Sequence, residues 1–122
     1  ISGPEISPYQ GGFFAVKIQF PAGYPNDKPK FRFITKIYHC NVTSQGLITG
    51  LDVLEHKYNP THSVRLLLAS VSNLLKVPNP GNSRNQIIAD QCIKKRFVYN
   101  KIARQWTRTF ATDVSAKPTV ST

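Results

Sequence analysis

The apolar residues of this chain change their period once, and that change limits the fold more than any other feature. In Phe13–Phe20, FFAVKIQF, they alternate, with Phe14, Val16, Ile18 and Phe20 on one face of an extended segment. A second run, Lys30–Tyr38, KFRFITKIY, sets Phe31, Phe33 and Thr35 on one side. From Ser63 onward the period becomes helical: Val64, Leu67, Leu68, Val71, Leu74 and Leu75 form one stripe. Strands therefore come first and helices afterwards. That order predicts an α+β fold, with an antiparallel sheet covered on one side by helices.

Proline and glycine divide these segments. SPYQGG turns the chain before the first strand. FPAGYPNDKP, with three prolines and a glycine, excludes regular structure between the two strands, which then pair antiparallel across it. His39 to Pro60 has no sustained period and reads as a long irregular segment, with one short 3₁₀ piece at Leu51–Leu54. Ser63 is placed to cap the helix that ends before Pro78. After the turn PNPGN, a short helix is predicted over 85–93 and a last helix over 95–111. Tyr99, Ile102, Ala103, Trp106 and Phe110 form the apolar stripe of that helix. The tail, residues 112–122, is polar and contains a proline, and is expected to be disordered.

The 122 residues suit one domain, residues 1–111, with one core. No apolar run reaches the roughly 18 residues of a membrane span, and no leader-like segment opens the chain. The opening Ile-Ser-Gly-Pro, without a methionine, reads as the start of a fragment or processed chain. Cys40 and Cys92 are too few and too far apart in sequence for a disulfide scaffold or zinc site, so two free thiols in a reducing compartment are expected. No nucleotide loop, metal cluster or internal repeat is found, and neither a cofactor nor a metal is expected.

The formal charge of +10 favours acidic partners. Much of it lies on Lys94, Lys95 and Arg96, continued by Lys101, Arg104 and Arg108, and those last three recur at near-helical spacing opposite the last helix's apolar stripe. That face is either solvated or a contact surface. Nucleic acid is disfavoured as its partner, because no aromatic side chain is read as interleaved on the basic face.

GPEISPYQGGFF, FPAGYP, KIYHCN, PNP and IARQW, in this order and spacing, resemble the ubiquitin-conjugating enzyme (E2) family over nearly all of residues 1–111. The resemblance implies a four-stranded antiparallel meander with a long helix behind it and two further helices. It also implies an N-terminal helix and first strand lying before the point where this chain begins. The implied chemistry is thioester transfer: a cysteine accepts ubiquitin from an activating enzyme and passes it to a lysine or to a ligase cysteine. The implied setting is the cytoplasm or nucleus, with ubiquitin or a ubiquitin-like protein, an activating enzyme, an active E2 and a ligase as partners.

The family pattern is a His-Pro-Asn turn, a glycine, and then Ile-Cys-Leu-Asp. Here the turn reads His39-Cys40-Asn41, and Gly46 and Ile48 are in place. Counting forward from Gly46, the nucleophile falls on Thr49. Counting back from Leu51-Asp52, it falls on Gly50. One extra residue between Asn41 and Asp52 separates the two counts, and neither reaches a cysteine. Thr49 is read as lacking a base to activate it, and Cys40 as a relocated nucleophile or a small residue replacing proline. Asn41 matches the asparagine that stabilises an oxyanion, or anchors its own loop. Asp52 matches an acidic position near the incoming lysine, and Asn82 stands where an acidic gate is common.

The ligase surface implied by the resemblance comprises Tyr24, Pro25, Asn26 and Pro29 of one loop and Asn59, Pro60 and Thr61 of another. Asn26 replaces its apolar anchor. The reading is an E2-like protein without the thioester function, acting as a regulator or scaffold through an active E2 or ubiquitin. The alternative is an active conjugating enzyme using Cys40, or one whose cysteine has been replaced in this sequence.

Overall fold

A computed structural model describes residues 1–112. Its elements are β1 (Val16–Gln19), β2 (Lys30–Phe33), α1 (Val64–Lys76), α2 (Gln86–Lys94) and α3 (Arg96–Phe110), with single 3₁₀ turns at Asp52–Leu54 and Pro80–Asn82. The predicted order holds. All three helices lie within about a residue of their expected bounds, and the short piece near Leu51–Leu54 is present. The predicted tail falls largely on residues 113–122, outside the described residues.

The strands are shorter than their alternation predicts. β1 and β2 pair antiparallel, Val16 opposite Phe33 and Gln19 opposite Lys30. The ladder stops at Phe33 because two successive amides, those of Ile34 and Thr35, converge on one carbonyl, that of Ala15, at 2.8 and 3.4 Å. The Thr35 hydroxyl meanwhile accepts from the Ala15 amide at 2.8 Å, where a backbone carbonyl would continue the ladder. This local doubling has the logic of a bulge and ends the pairing. Among the described residues the sheet has two strands rather than the four expected. Arg32–Leu47 and Val42–Ile48 pair only as isolated bridges, and Ser2 bridges Phe13. Between Val42 and Ile48 the chain turns at Gly46, whose φ of 86° leaves too little extended backbone for a ladder.

The core lies between the sheet and the helices. Phe14, Phe33, Ile37 and Val42 meet Val71 and Leu75 of α1, Ala103 of α3, and Tyr9. The α1 stripe is confirmed, with Leu67, Val71, Leu74 and Leu75 buried. Ser63 caps the helix by accepting from the Leu66 amide at 3.1 Å, and Asn85 caps α2 through the Ile88 amide at the same distance. Phe20 corrects the predicted inward face. It is half exposed and packs edge-on against Tyr24, 4.8 Å between ring centroids, because the strand has ended by that point. Phe97 corrects the reading of the basic face: it lies between Arg96 and Lys101 and is 77% exposed.

Candidate functional site

The irregular segment after β2 is ordered by buried polar bonds, which its sequence gives no period to announce. His39 is 1% exposed. Its Nε2–H donates to the Leu74 carbonyl at 2.9 Å, and its Nδ1 accepts from the Asn41 amide at 2.9 Å. Those two bonds fix a neutral imidazole, and burial lowers the pKa to about 4. The ring therefore shapes the turn and offers no free base.

Asn41 is fully buried and faces away from solvent. Its Oδ1 accepts from the Asn79 amide at 2.8 Å. Its Nδ2 donates to the carbonyls of Asn79 at 2.8 Å and Asn82 at 3.5 Å. Both amide hydrogens are thereby used, and the side chain stitches the 39–41 turn to the turn before α2. Asn79 was not foreseen as a partner. The PNP motif around it was visible, but which backbone groups it would present was not. Asn82 belongs to the same cluster through its carbonyl, while its side chain is exposed.

The two candidate nucleophile positions are physically different. Thr49 is buried; its amide and hydroxyl both donate to the Asn41 carbonyl, at 2.8 and 3.4 Å. Gly50 is half-buried with φ +80°, and a Cβ built on it lies 2.7 Å from Asn41 Nδ2. Of the two, Gly50 is the position that faces the asparagine, and a side chain there is opposed by backbone strain and by contact.

Cys40 is buried. Its amide donates to the Tyr99 hydroxyl at 3.4 Å, its carbonyl accepts from the Ser83 hydroxyl, and its thiol donates to Asn41 Oδ1 at 3.3 Å. Burial pushes the thiol's pKa up to about 12. Asp52 is not gathered into this cluster: its carboxylate faces His56 at 3.4 Å and Lys57 at 3.8 Å on the exposed 3₁₀ turn. Asp52, Glu55 and His56 bring three ligand atoms within 4.8 Å of one another, the one group of metal-ligating type among the described residues. It is open to solvent, and Lys57 already stands beside its first carboxylate.

The two predicted partner loops do come together. The Tyr58 hydroxyl donates to the Pro25 carbonyl at 2.7 Å, and Lys28 Nζ reaches the Glu55 carbonyl at 3.4 Å. Asn59 Oδ1 takes both the amide and the hydroxyl of Thr61, at 2.9 and 2.8 Å, which fixes the turn around Pro60. Asn26, Pro25, Asn59, Pro60 and Thr61 are exposed, and Tyr24 is half-buried. Pro29 corrects its assignment as a contact. It is buried at the base of its loop and offers no surface to a partner.

Residues 1–107 match the family model described as ubiquitin-conjugating enzyme. The chain belongs to the ubiquitin-conjugating enzyme family. Similar family members include ubiquitin-conjugating enzyme E2 27 of Arabidopsis thaliana, 39% identical over 91% of this chain and 58% of that protein. Ubiquitin-conjugating enzyme E2 1 of Schizosaccharomyces pombe is 38% identical over 89% of this chain and 50% of that protein. The chain thus spans between half and three-fifths of the length of these two relatives. Among solved structures, an E2 domain of a Toxoplasma gondii ubiquitin-conjugating enzyme superposes with a TM-score of 0.85 at 38% identity, covering 91% of this chain and 77% of that one. A putative ubiquitin-conjugating enzyme of Plasmodium yoelii gives 0.85 at 40% identity, covering 93% and 73%. The family's α+β fold is therefore the fold of this chain. Among the described residues, no helix of this E2-family chain is long and apolar enough to cross a membrane.

Proposed function

We propose that this member of the ubiquitin-conjugating enzyme family acts in the ubiquitin pathway without carrying the modifier covalently, as a regulator or scaffold that engages an active E2 or ubiquitin itself. The observation that carries the reading is the pair Thr49–Gly50. The position facing Asn41 is a glycine held at positive φ, and the residue before it is a threonine buried in a backbone hydrogen bond. An alcohol needs a neighbouring base or a lowered pKa to attack a thioester. Thr49 has neither, since its hydroxyl faces the Asn41 carbonyl. Cys40 is the nearest sulfur, and its thiol is buried with a raised pKa, the opposite of an activated nucleophile. Asn41, with both amide hydrogens committed to carbonyls, has none to offer a developing oxyanion. The exposed loop pair joined by Tyr58 and Pro25 is the surface offered to a partner, with Asn26 weakening the apolar grip of a ligase.

The test is incubation of the natural full-length polypeptide with activating enzyme, ATP and ubiquitin, followed by a non-reducing gel. The expected result is no adduct, together with retention of an active E2 or of ubiquitin on the immobilised protein. A reductant-sensitive adduct defeats the reading, and its loss in Cys40→Ala would assign the nucleophile. A base-labile, reductant-resistant adduct defeats it in favour of Thr49.

A further inference from the structure

Cys40 and Cys92 are the only sulfurs in the chain and lie far apart in sequence, yet the fold packs both into one buried cluster with Tyr99. Both are free and almost fully buried, at 2% and 1% exposure. Cys92 faces inward from the last turn of α2, where its carbonyl accepts from Arg96 Nε at 2.8 Å. Cys40 is held at both of its backbone groups, by Tyr99 and by Ser83. Its thiol donates to Asn41 Oδ1, and its side chain packs in the same buried cluster as that of Cys92. A bond between the two sulfurs would replace the thiol–amide contact.

We propose that Cys40 and Cys92 are a modification site: a dithiol that oxidises to an intramolecular disulfide and locks the His39-Cys40-Asn41 turn onto α2. With hydrogen peroxide as oxidant, one thiolate attacks a peroxide oxygen, the O–O bond breaks, and a sulfenic acid forms as the departing hydroxide takes up a proton to give water. The second sulfur then attacks the first, the S–OH bond breaks as the S–S bond forms, and a second water leaves with the remaining thiol proton. The two sulfurs lose two electrons in total and the peroxide gains them. In the product Cys40 no longer donates to Asn41 Oδ1, so the asparagine keeps its bonds to Asn79 and Asn82 but loses its tie to the turn's own side chain. Burial holds the Cys40 thiol in its protonated form, so its own attack on peroxide is slow at neutral pH.

Equilibrium separates this proposal from mere accessibility. The chain is brought to equilibrium in glutathione redox buffers, once folded and once in concentrated urea. Thiols are then trapped and peptides mapped without reduction. The folded chain is expected to favour the Cys40–Cys92 cross-link at least about tenfold more than the denatured chain does, because the fold holds the sulfurs together. The oxidised protein should melt at least about 5 °C higher, from closure of a loop of about 50 residues. Deuterium exchange at the 39–41 amides should slow with it. An equal or smaller preference in the folded state overturns the proposal. So does a product set of glutathione adducts, sulfinic acids or intermolecular dimers with no internal cross-link. Since wild-type chain suffices for each measurement, no result depends on a variant folding.

Discussion

At residue scale, His39 and Gly50 set the character of the candidate site, and each yields a measurable consequence. His39 titrates near 6.5 when unfolded and at about 4 when folded, because burial disfavours the imidazolium. The unfolded chain thus binds more protons between those values. Stability is fully present above about pH 6.5, falls as pH drops toward 4, and loses nothing further from this group below that. Between pH 7.5 and pH 4.5 the loss amounts to roughly 2–3 kcal/mol. His39→Gln should be less stable than wild type at pH 7.5 and show a flatter dependence, so the urea midpoints of the two should converge on acidification. Parallel curves would contradict the buried neutral imidazole. Gly50 is tested by adding one methyl group: Gly50→Ala places a Cβ at positive φ and against Asn41 Nδ2, and should cost about 2 kcal/mol in urea unfolding. Thr49→Ala is the contrast. It removes a long hydroxyl bond of 3.4 Å and should cost no more than about 1 kcal/mol. A reversed order of the two would mean that Gly50 is not the crowded position.

At the scale of elements, the helices were legible and the sheet was only half so, for a reason that follows from range. The α1 stripe and its Ser63 cap are written within 13 residues of continuous sequence, and local spacing is enough to place them. Ser63→Ala removes the cap and should cost about 1 kcal/mol, read as a lowered urea midpoint with unchanged slope. No change in that midpoint would mean the cap is replaced by solvent at no cost. The strand ends depend on partners elsewhere. Phe20 alternates correctly with Phe14, yet nothing in its neighbourhood tells that Thr35 will take the Ala15 amide and close the ladder early. The same holds at the candidate site. Its departure from the family pattern at Thr49–Gly50 could be counted in the sequence, and the two counts disagreed there. Only the folded backbone shows which position faces Asn41. Asn79, Ser83 and the meeting of Cys40 with Cys92 left no local signal, because each pairs segments about 40 or more residues apart. Phe97 erred the other way. An aromatic residue in a helix suggests burial, but α3 gives its inward face to Tyr99, Ala103 and Thr107, and leaves Phe97 among the cations.

At the scale of the whole molecule the charge balance becomes a stability term. Sixteen Lys and Arg stand against six Asp and Glu, and among the described residues the only ion pairs are those Asp52 makes with His56 and Lys57. The remaining cations thus repel at close quarters in the folded state and at longer range in the unfolded one. Lys17 and Arg32 show the pattern at its most local: they are direct cross-strand partners, both exposed, a like-charge arrangement that weakens a sheet. Added salt shortens the reach of these repulsions, from about 30 Å at 0.01 M to about 10 Å at 0.1 M. Urea midpoints should therefore rise as sodium chloride increases from about 0.01 to 0.3 M, whereas a fold held by surface ion pairs would weaken. Lys17→Glu converts the cross-strand pair into an attractive one. It should stabilise the protein by roughly 0.5–1 kcal/mol at low salt and reduce the gain on adding salt. If wild type and Lys17→Glu respond alike to salt, the repulsion is not centred on the sheet. The densest other group is the row of cations from Lys94 to Arg108, where Lys101→Glu is the corresponding substitution to measure.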